Sequence, residues 1–347
     1  MPRTDNDSWD LAHSVGATAT GVAVGRALAS QRPDALIDDP YAAPLVRAVG
    51  VPFFTRLVDG ELNPGEVDAN SAWGMQRMTD MMAVRTRFFD DFFLSAAREG
   101  SRQAVILAAG LDARAYRLPW PPGTTVFEID QPQVIDFKTR TMHELGAAPT
   151  AHRHAVAVDL RRDWPAALQR AGFDPDQPTA WSAEGLLAFL PPDAQDRLLD
   201  QVTALSARGS RLATENMDAG DADAQMMQDR MQQAIDHWRE HGFDIDMTDL
   251  WYFGERNDIG EYLGARGWAT QVIPMTELYA ASGVSLPVDD ETNVQSYASF
   301  GYITATRAGR RRGPVSCPET ATAAPRPPCR TGWPCRPASY PIGAPSR

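Results

Sequence analysis

Residues 1–307 contain no cysteine; the chain's three, Cys317, Cys329 and Cys335, lie in the last forty positions. A disulfide framework or a thiolate zinc centre is thereby excluded from the body. No apolar run reaches the roughly 18 residues that span a bilayer. The opening MPRTDNDSWD is polar and acidic, unlike a secretory signal. Positive charge is scarce: the net charge is −12, with −18 on residues 1–307 against +6 on residues 308–347. Phosphate binding needs a basic surface, so nucleic acid and anionic membranes are disfavoured as partners. No internal repeat is visible. These absences point to a cytoplasmic protein that handles a small molecule.

Two glycine patterns are also missing: there is no GxGxxG and no GxxxxGK[ST]. What stands in their place is residues 104–130, AVILAAGLDARAYRLPWPPGTTVFEID. One apolar run leads into Gly110, and a second ends on Asp130, 20 positions later. Such a strand, tight loop and second strand closing on an acid hold nucleotide-type cofactors. The small residue lets the backbone approach the ligand, and the acid accepts ribose hydroxyl protons. Without further glycines a pyrophosphate has no cradle. The pattern favours a nucleoside lacking one, and S-adenosylmethionine is the candidate.

Along the chain, helices are expected over 9–30, near 41–49 and over 72–98, with residues 60–70 as a loop. Strands follow at 104–109, 125–129, 155–158, 179–183 and 210–214, alternating with helices from Pro132, over 163–171 and over 192–206. That alternation implies a mainly parallel sheet with right-handed crossovers. Residues 217–255 break the pattern and read as an inserted helical lid. A helix over 259–266, strands over 269–274 and 299–306, and a loop over 274–293 complete the body. Residues 308–347 hold nine of the 27 prolines and seven arginines, and read as a disordered tail.

The runs VILAAGLDARAYRLPWP, FEIDQPQVIDFKT, AVDLRRDWPAAL and PTAWSAEGLLAFLPPDAQ resemble the actinobacterial S-adenosylmethionine-dependent methyltransferases, distant relatives of the leucine carboxyl methyltransferases. IDDPYA and VRTRFFDDFF extend the likeness over nearly all of 1–307. The resemblance implies a class I methyltransferase fold, Rossmann-like. That is a seven-stranded, mostly parallel sheet with an antiparallel last strand and helices on both faces. The expected organisation is an N-terminal helical region over 1–98, a cofactor-binding core over 99–216 and 256–307, the lid over 217–255 and the tail. By the same resemblance, Asp130 takes the ribose hydroxyls, Asp159 and Leu160 hold the adenine, and Gly110 lies under the methionine moiety. Arg85 pairs with the cofactor's carboxylate, Glu184 faces its amino group, and Arg26 lies near the carboxylate. The chain departs from its relatives at Ala113 and Phe189, where threonine and a hydroxylated aromatic are common.

Each residue has a plainer role open to it. Gly110 could be a strand-ending turn, Asp112 a turn cap, Asp130 a helix N-cap and Asp159 a partner of Arg161 or Arg162. Glu184 ends an apolar strand, where an acid is costly unless paired. Arg85 could solvate a helix face. His237 and His241 share helical spacing, but Trp238 stands where a zinc protease has glutamate and no third ligand is evident, so no metal is expected. His152 and His154 read as a strand entry. The expected reaction is in-line methyl transfer to oxygen, on a small or lipid-like acceptor roofed by Met226, Met227, Met231, Trp238, Trp251, Tyr252 and Phe253. A carboxylate acceptor needs no base; a hydroxyl needs one that the sequence does not identify. A nicotinamide-dependent oxidoreductase and a non-catalytic S-adenosylmethionine-binding protein are the competing readings.

Overall fold

The computed structural model describes residues 11–12, 14–68, 74–217, 232–244, 250, 252, 255–286 and 300–308. Helices come first: α1 (Ser14–Ser30), α2 (Ala42–Val49), α3 (Pro52–Val58), α4 (Pro64–Val67) and α5 (Met75–Arg98). The apolar spacing of α5 explains its length. Met75, Thr79, Met82, Thr86, Phe89, Phe93 and Ala96, alternately four and three apart, are buried along one stripe. The helix begins three residues later than position 72, because the Asp68 carboxylate accepts the N–H groups of Met75 and Gln76 and fixes the first turn.

The apolar runs beyond α5 form a seven-stranded sheet. Its strands are β1 (Gln103–Leu107), β2 (Thr125–Asp130), β3 (His152–Ala157), β4 (Thr179–Ala183), β5 (Arg211–Met217), β6 (Trp268–Pro274) and β7 (Phe300–Arg307). Their order is β3-β2-β1-β4-β5-β7-β6, and only the pairings made by β7 are antiparallel. This is the class I methyltransferase sheet. The order reverses between β1 and β4, and ligands of open α/β sheets bind outside the strand ends at such a switch point.

Alternation along the strands sends side chains to two cores. Ala104 and Ile106 of β1 face α1, α2, α3 and α5, while Val105 and Leu107 face the opposite layer. That layer contains α8 (Trp164–Arg170), α9 (Pro192–Ala204) and α11 (Ile259–Ala265). At its centre the rings of Trp164 and Trp181 meet edge to face at 6.3 Å, and Phe173 packs on Trp181 at 5.3 Å. Truncating one such ring costs about 3–5 kcal/mol.

Between strands lie α6 (Arg114–Arg117) and α7 (Pro132–Glu144). Residues 232–240 form α10, and α12 (Met275–Ser282) follows β6. Four helices, α3, α4, α6 and α12, fall in stretches without an expected one. α3 and α4 start on Pro52 and Pro64 at their first turns, and α12 follows Pro274 directly. Proline opens a helix here, since its missing N–H is one the first turn leaves unpaired. β1 ends two residues before position 109, because Ala108 turns to φ +51°.

Most of the expected lid, 218–231 and 245–249, lies outside the described residues, as do Met226, Met227, Met231, Trp251, Phe253 and the tail beyond position 308. The part that is described packs inward. Trp238 of α10 lies 6.2 Å from Phe53 and 5.6 Å from Phe243, so its ring belongs to the core over α3. No described helix is long and apolar enough to cross a membrane.

Candidate cofactor-binding site

The tips of β1 and β2 are knotted together by backbone. Ala109 N–H donates to the Ile129 carbonyl at 2.9 Å, and Gly110 N–H donates to Asp130 Oδ2 at 2.6 Å. Ala108 is the one non-glycine residue with positive φ among the described residues, a strained backbone beside a ligand-type loop. Gly110 also has positive φ (+46°), and a Cβ there would come within 3.3 Å of the Ala19 methyl on α1. The loop thus requires its glycine on two counts. The other Asp130 oxygen accepts Gln131 N–H at 2.7 Å, and α7 has no side-chain cap, so Asp130 serves the loop and not the helix. Each oxygen keeps a lone pair beyond its one N–H, which suits a diol donating two hydroxyl protons. Burial raises the Asp130 pKa; the two N–H groups and Lys138 oppose that, and Asp159 adds to it.

Beyond the loop lies a buried lattice of arginines and acids. Arg114, 2% exposed, binds Asp90 Oδ1 at 2.6 Å, Glu184 Oε2 at 2.6 Å and the Asp112 carboxylate. Arg117 makes a forked contact with Asp90 at 2.7 Å on both oxygens. Arg85 Nε is shared between Glu184 Oε1 at 2.9 Å and Glu215 Oε1 at 3.1 Å. Both Glu215 oxygens also accept Gly185 N–H at 2.9 Å. Asp112 caps its own turn, accepting Arg114 N–H at 2.6 Å. Burial would raise its pKa, but Arg114, Lys138 and Arg26 hold it at about 2. Burial raises the pKa of Glu215, against the pull of Arg85.

The six site residues named from the sequence therefore fall into linked groups. Gly110 and Asp130 are in contact, Arg85 and Glu184 are in contact, and Arg114 joins the two groups through Asp112 and Glu184. Asp159 follows β3 at the neighbouring tip, where Val158 N–H reaches the Asp130 carbonyl at 2.9 Å. Its carboxylate pairs with Arg161 at 2.6 Å, which holds its pKa down against burial. Leu160 packs against the layer of α8 and α9. Arg26 lies elsewhere in the lattice. It binds Asp39 at 2.9 Å and the Leu111 carbonyl at 2.7 Å, and so braces the loop. Tyr252 N–H reaches the Ala188 carbonyl at 2.9 Å, tying the far side of the site to the turn after Glu184. The rings of His237 on α10 and His241 just after it meet edge to face at 5.3 Å; no group of three His, Cys, Asp or Glu is arranged for a metal among the described residues.

Residues 19–203 match the family model for leucine carboxyl methyltransferase. Two Mycolicibacterium smegmatis proteins carrying the name "Putative S-adenosyl-L-methionine-dependent methyltransferase" are 58% and 59% identical over 308 and 312 residues, 88% and 89% of this chain and all of each relative. The chain belongs to the leucine carboxyl methyltransferase family. A Mycobacterium ulcerans member, 60% identical over 294 residues, spans 83% of this chain and 91% of its own length. Membership makes the chain an S-adenosyl-L-methionine-dependent methyltransferase with that cofactor, and sets aside the nicotinamide reading.

The family's matched span includes all six residues named above. The sequence reading missed Arg114 and Glu215, which bind Glu184 and Arg85, and behind them Asp90, which binds Arg114, and the pair of Glu128 and Lys138. Two carried a visible signal, an acid inside an apolar run. Asp90 interrupts RFFDDFF and Glu128 interrupts TVFEID, and an acid buried there must be paired.

Proposed function

We propose that the site binds S-adenosyl-L-methionine along the carboxyl edge of β1, β2, β3 and β4, and that the enzyme methylates an oxygen, a carboxylate in preference to a hydroxyl, on a small or lipid-like acceptor. One observation carries the cofactor placement: a half-buried acid at the tip of β2 holds the Gly110 loop and keeps lone pairs for a diol. Asp130 takes the ribose hydroxyls, Gly110 admits the methionine portion, and Asp159 with Leu160 borders the adenine. Arg85 and Glu184 serve the amino-acid end, where the carboxylate meets a guanidinium already in place and the ammonium meets a buried acid. The bound cofactor supplies a methyl group activated by its sulfonium. The chain contributes alignment and exclusion of water.

A carboxylate acceptor is favoured because it is already an anion. Around the lattice, Asp90, Asp112, Glu184 and Glu215 are each engaged by arginine, so none is free to act as base. The family's name points the same way. The lid proposed over 217–255 would cover the acceptor side. Arg256 donates to the carbonyls of Tyr252 at 2.6 Å and Leu187 at 3.0 Å, which ties Tyr252 and Arg256 to the turn after Glu184.

Titration with S-adenosylhomocysteine tests the placement. Asp130→Ala removes a charged acceptor and should weaken binding by about 1.5–3 kcal/mol. A folded variant with unchanged affinity would refute it. Incubating cell extract with radiolabelled donor tests the acceptor: a carboxyl methyl ester releases its label in mild alkali, whereas a methyl ether keeps it.

A further inference from the structure

Arginine supplies 32 of the chain's 33 basic residues; the single lysine is Lys138. It lies on α7 and is fully buried. Its Nζ is 2.9 Å from Glu128 Oε2 and donates to the Asp112 carbonyl at 3.0 Å. Glu128 is equally buried and stands two residues before Asp130 on β2; Arg153 from β3 reaches the same oxygen at 2.7 Å. The lysine stem therefore runs from α7 to the underside of the loop that carries Gly110. An ammonium is a compact donor on a flexible stem and can serve acceptors that converge from several directions, which a planar guanidinium does less well.

We propose that Lys138 is a positioning residue of the cofactor site: it fixes the Gly110–Asp112 loop through the Asp112 carbonyl and places a positive charge beside Asp130. This rests on the assignment of Asp130 and Gly110 to the nucleoside. Two contacts set the loop from below and behind, Lys138 on Asp112 and Arg26 on Leu111. Two more set it from the front and within, Asp130 on Gly110 N–H and Ala109 on Asp112 N–H at 2.8 Å. Lys138 also acts on the charge of Asp130, alongside the N–H groups of Gly110 and Gln131. The charged groups facing Asp130 are Lys138 and Asp159, of opposite effect. Those facing Asp112 are Arg114, Lys138 and Arg26. Loss of the lysine leaves only the N–H groups of Gly110 and Gln131 to hold the ionised form against burial and Asp159.

Calorimetric titration of the full chain with S-adenosylhomocysteine from pH 5 to 9 tests this. Lys138→Met should raise Kd about tenfold at pH 7.5, the loss of one hydrogen bond to a charged group. It should also move the acid limb of binding upward, since removing a nearby cation favours the neutral carboxyl. A purely structural lysine would change stability and leave that limb where it is. A folded variant with wild-type affinity and an unmoved limb overturns the proposal. Failure of the wild-type chain to bind would instead overturn the reading of Asp130. If loss of the lysine prevents folding, the wild-type chain still serves: labelled with 13C at the lysine ε carbon, it gives a single lysine signal. That signal should shift on saturation with S-adenosylhomocysteine, and an unmoved signal overturns the proposal.

Discussion

Gly185→Ala probes how tightly the two halves of the site are joined. Gly185 sits at φ +61°, where an alanine costs about 1–2 kcal/mol. Its N–H is held by both oxygens of Glu215. A Cβ there would lie 2.6 Å from Arg85 Nη2, a distance that requires something to move. An exposed arginine would swing aside at little cost. Arg85 cannot do so freely, because its Nε is shared by Glu184 and Glu215 and its side chain is 13% exposed. The variant must therefore either strain the backbone or break Arg85 from at least one carboxylate. A weakened buried ion pair adds about 1–3 kcal/mol to the backbone cost. The expected result is a Tm lower by roughly 2–6 °C. Affinity for S-adenosylhomocysteine should fall by about tenfold or more. 5′-Methylthioadenosine lacks the amino-acid end and should lose much less. Scanning calorimetry and titration with both ligands give the comparison. Equal losses for the two ligands, or wild-type values for both, would refute the link from Gly185 through Arg85 to the methionine end.

Asp112→Asn should lower stability by about 2 kcal/mol near neutral pH, because the native carboxyl is held at about 2 against its ordinary 3.8. A depressed acid stabilises above its unfolded pKa and loses that effect as pH falls through the native one. The gap to wild type in urea melts should therefore narrow between pH 4 and 2, and a pH-independent gap would argue against the cause given. Glu215→Gln has the opposite sign. Burial raises that acid, so its cost to the native state grows as pH rises through the ordinary carboxylate range. The cofactor-free variant should melt no lower than wild type at pH 7–8, with the two curves converging toward pH 4.5. A lower melting temperature at every pH would contradict this.

The part of the site built from neighbouring strand tips was legible in the sequence. Gly110 and Asp130 close two apolar runs, and the parallel sheet places adjacent tips side by side, so 20 positions of separation become one hydrogen bond. The lattice behind them was not legible. Arg85 and Glu184 are 99 positions apart, and Arg114 and Glu184 are 70 apart. Pairings of that span depend on how α5 lies across the sheet, which no local pattern encodes. Arg26 shows the same difficulty: it was expected near the cofactor's carboxylate, and its contacts with Asp39 and the Leu111 carbonyl were not foreseen. For the fold, apolar runs located every strand, while α3, α4, α6 and α12 escaped because helices of four to eight residues are too short for helical spacing to stand out.

The choice of arginine throughout the lattice makes the scaffold one-sided toward acidity and alkalinity. Arg85, Arg114 and Arg117 are pushed still further from releasing a proton by the acids around them. Alkali therefore leaves these cations charged at any pH an enzyme meets. Among their carboxylate partners, Asp112 is held at about 2 and gives up its charge only in strong acid, so that contact loosens at the acid end alone and holds through neutrality and above.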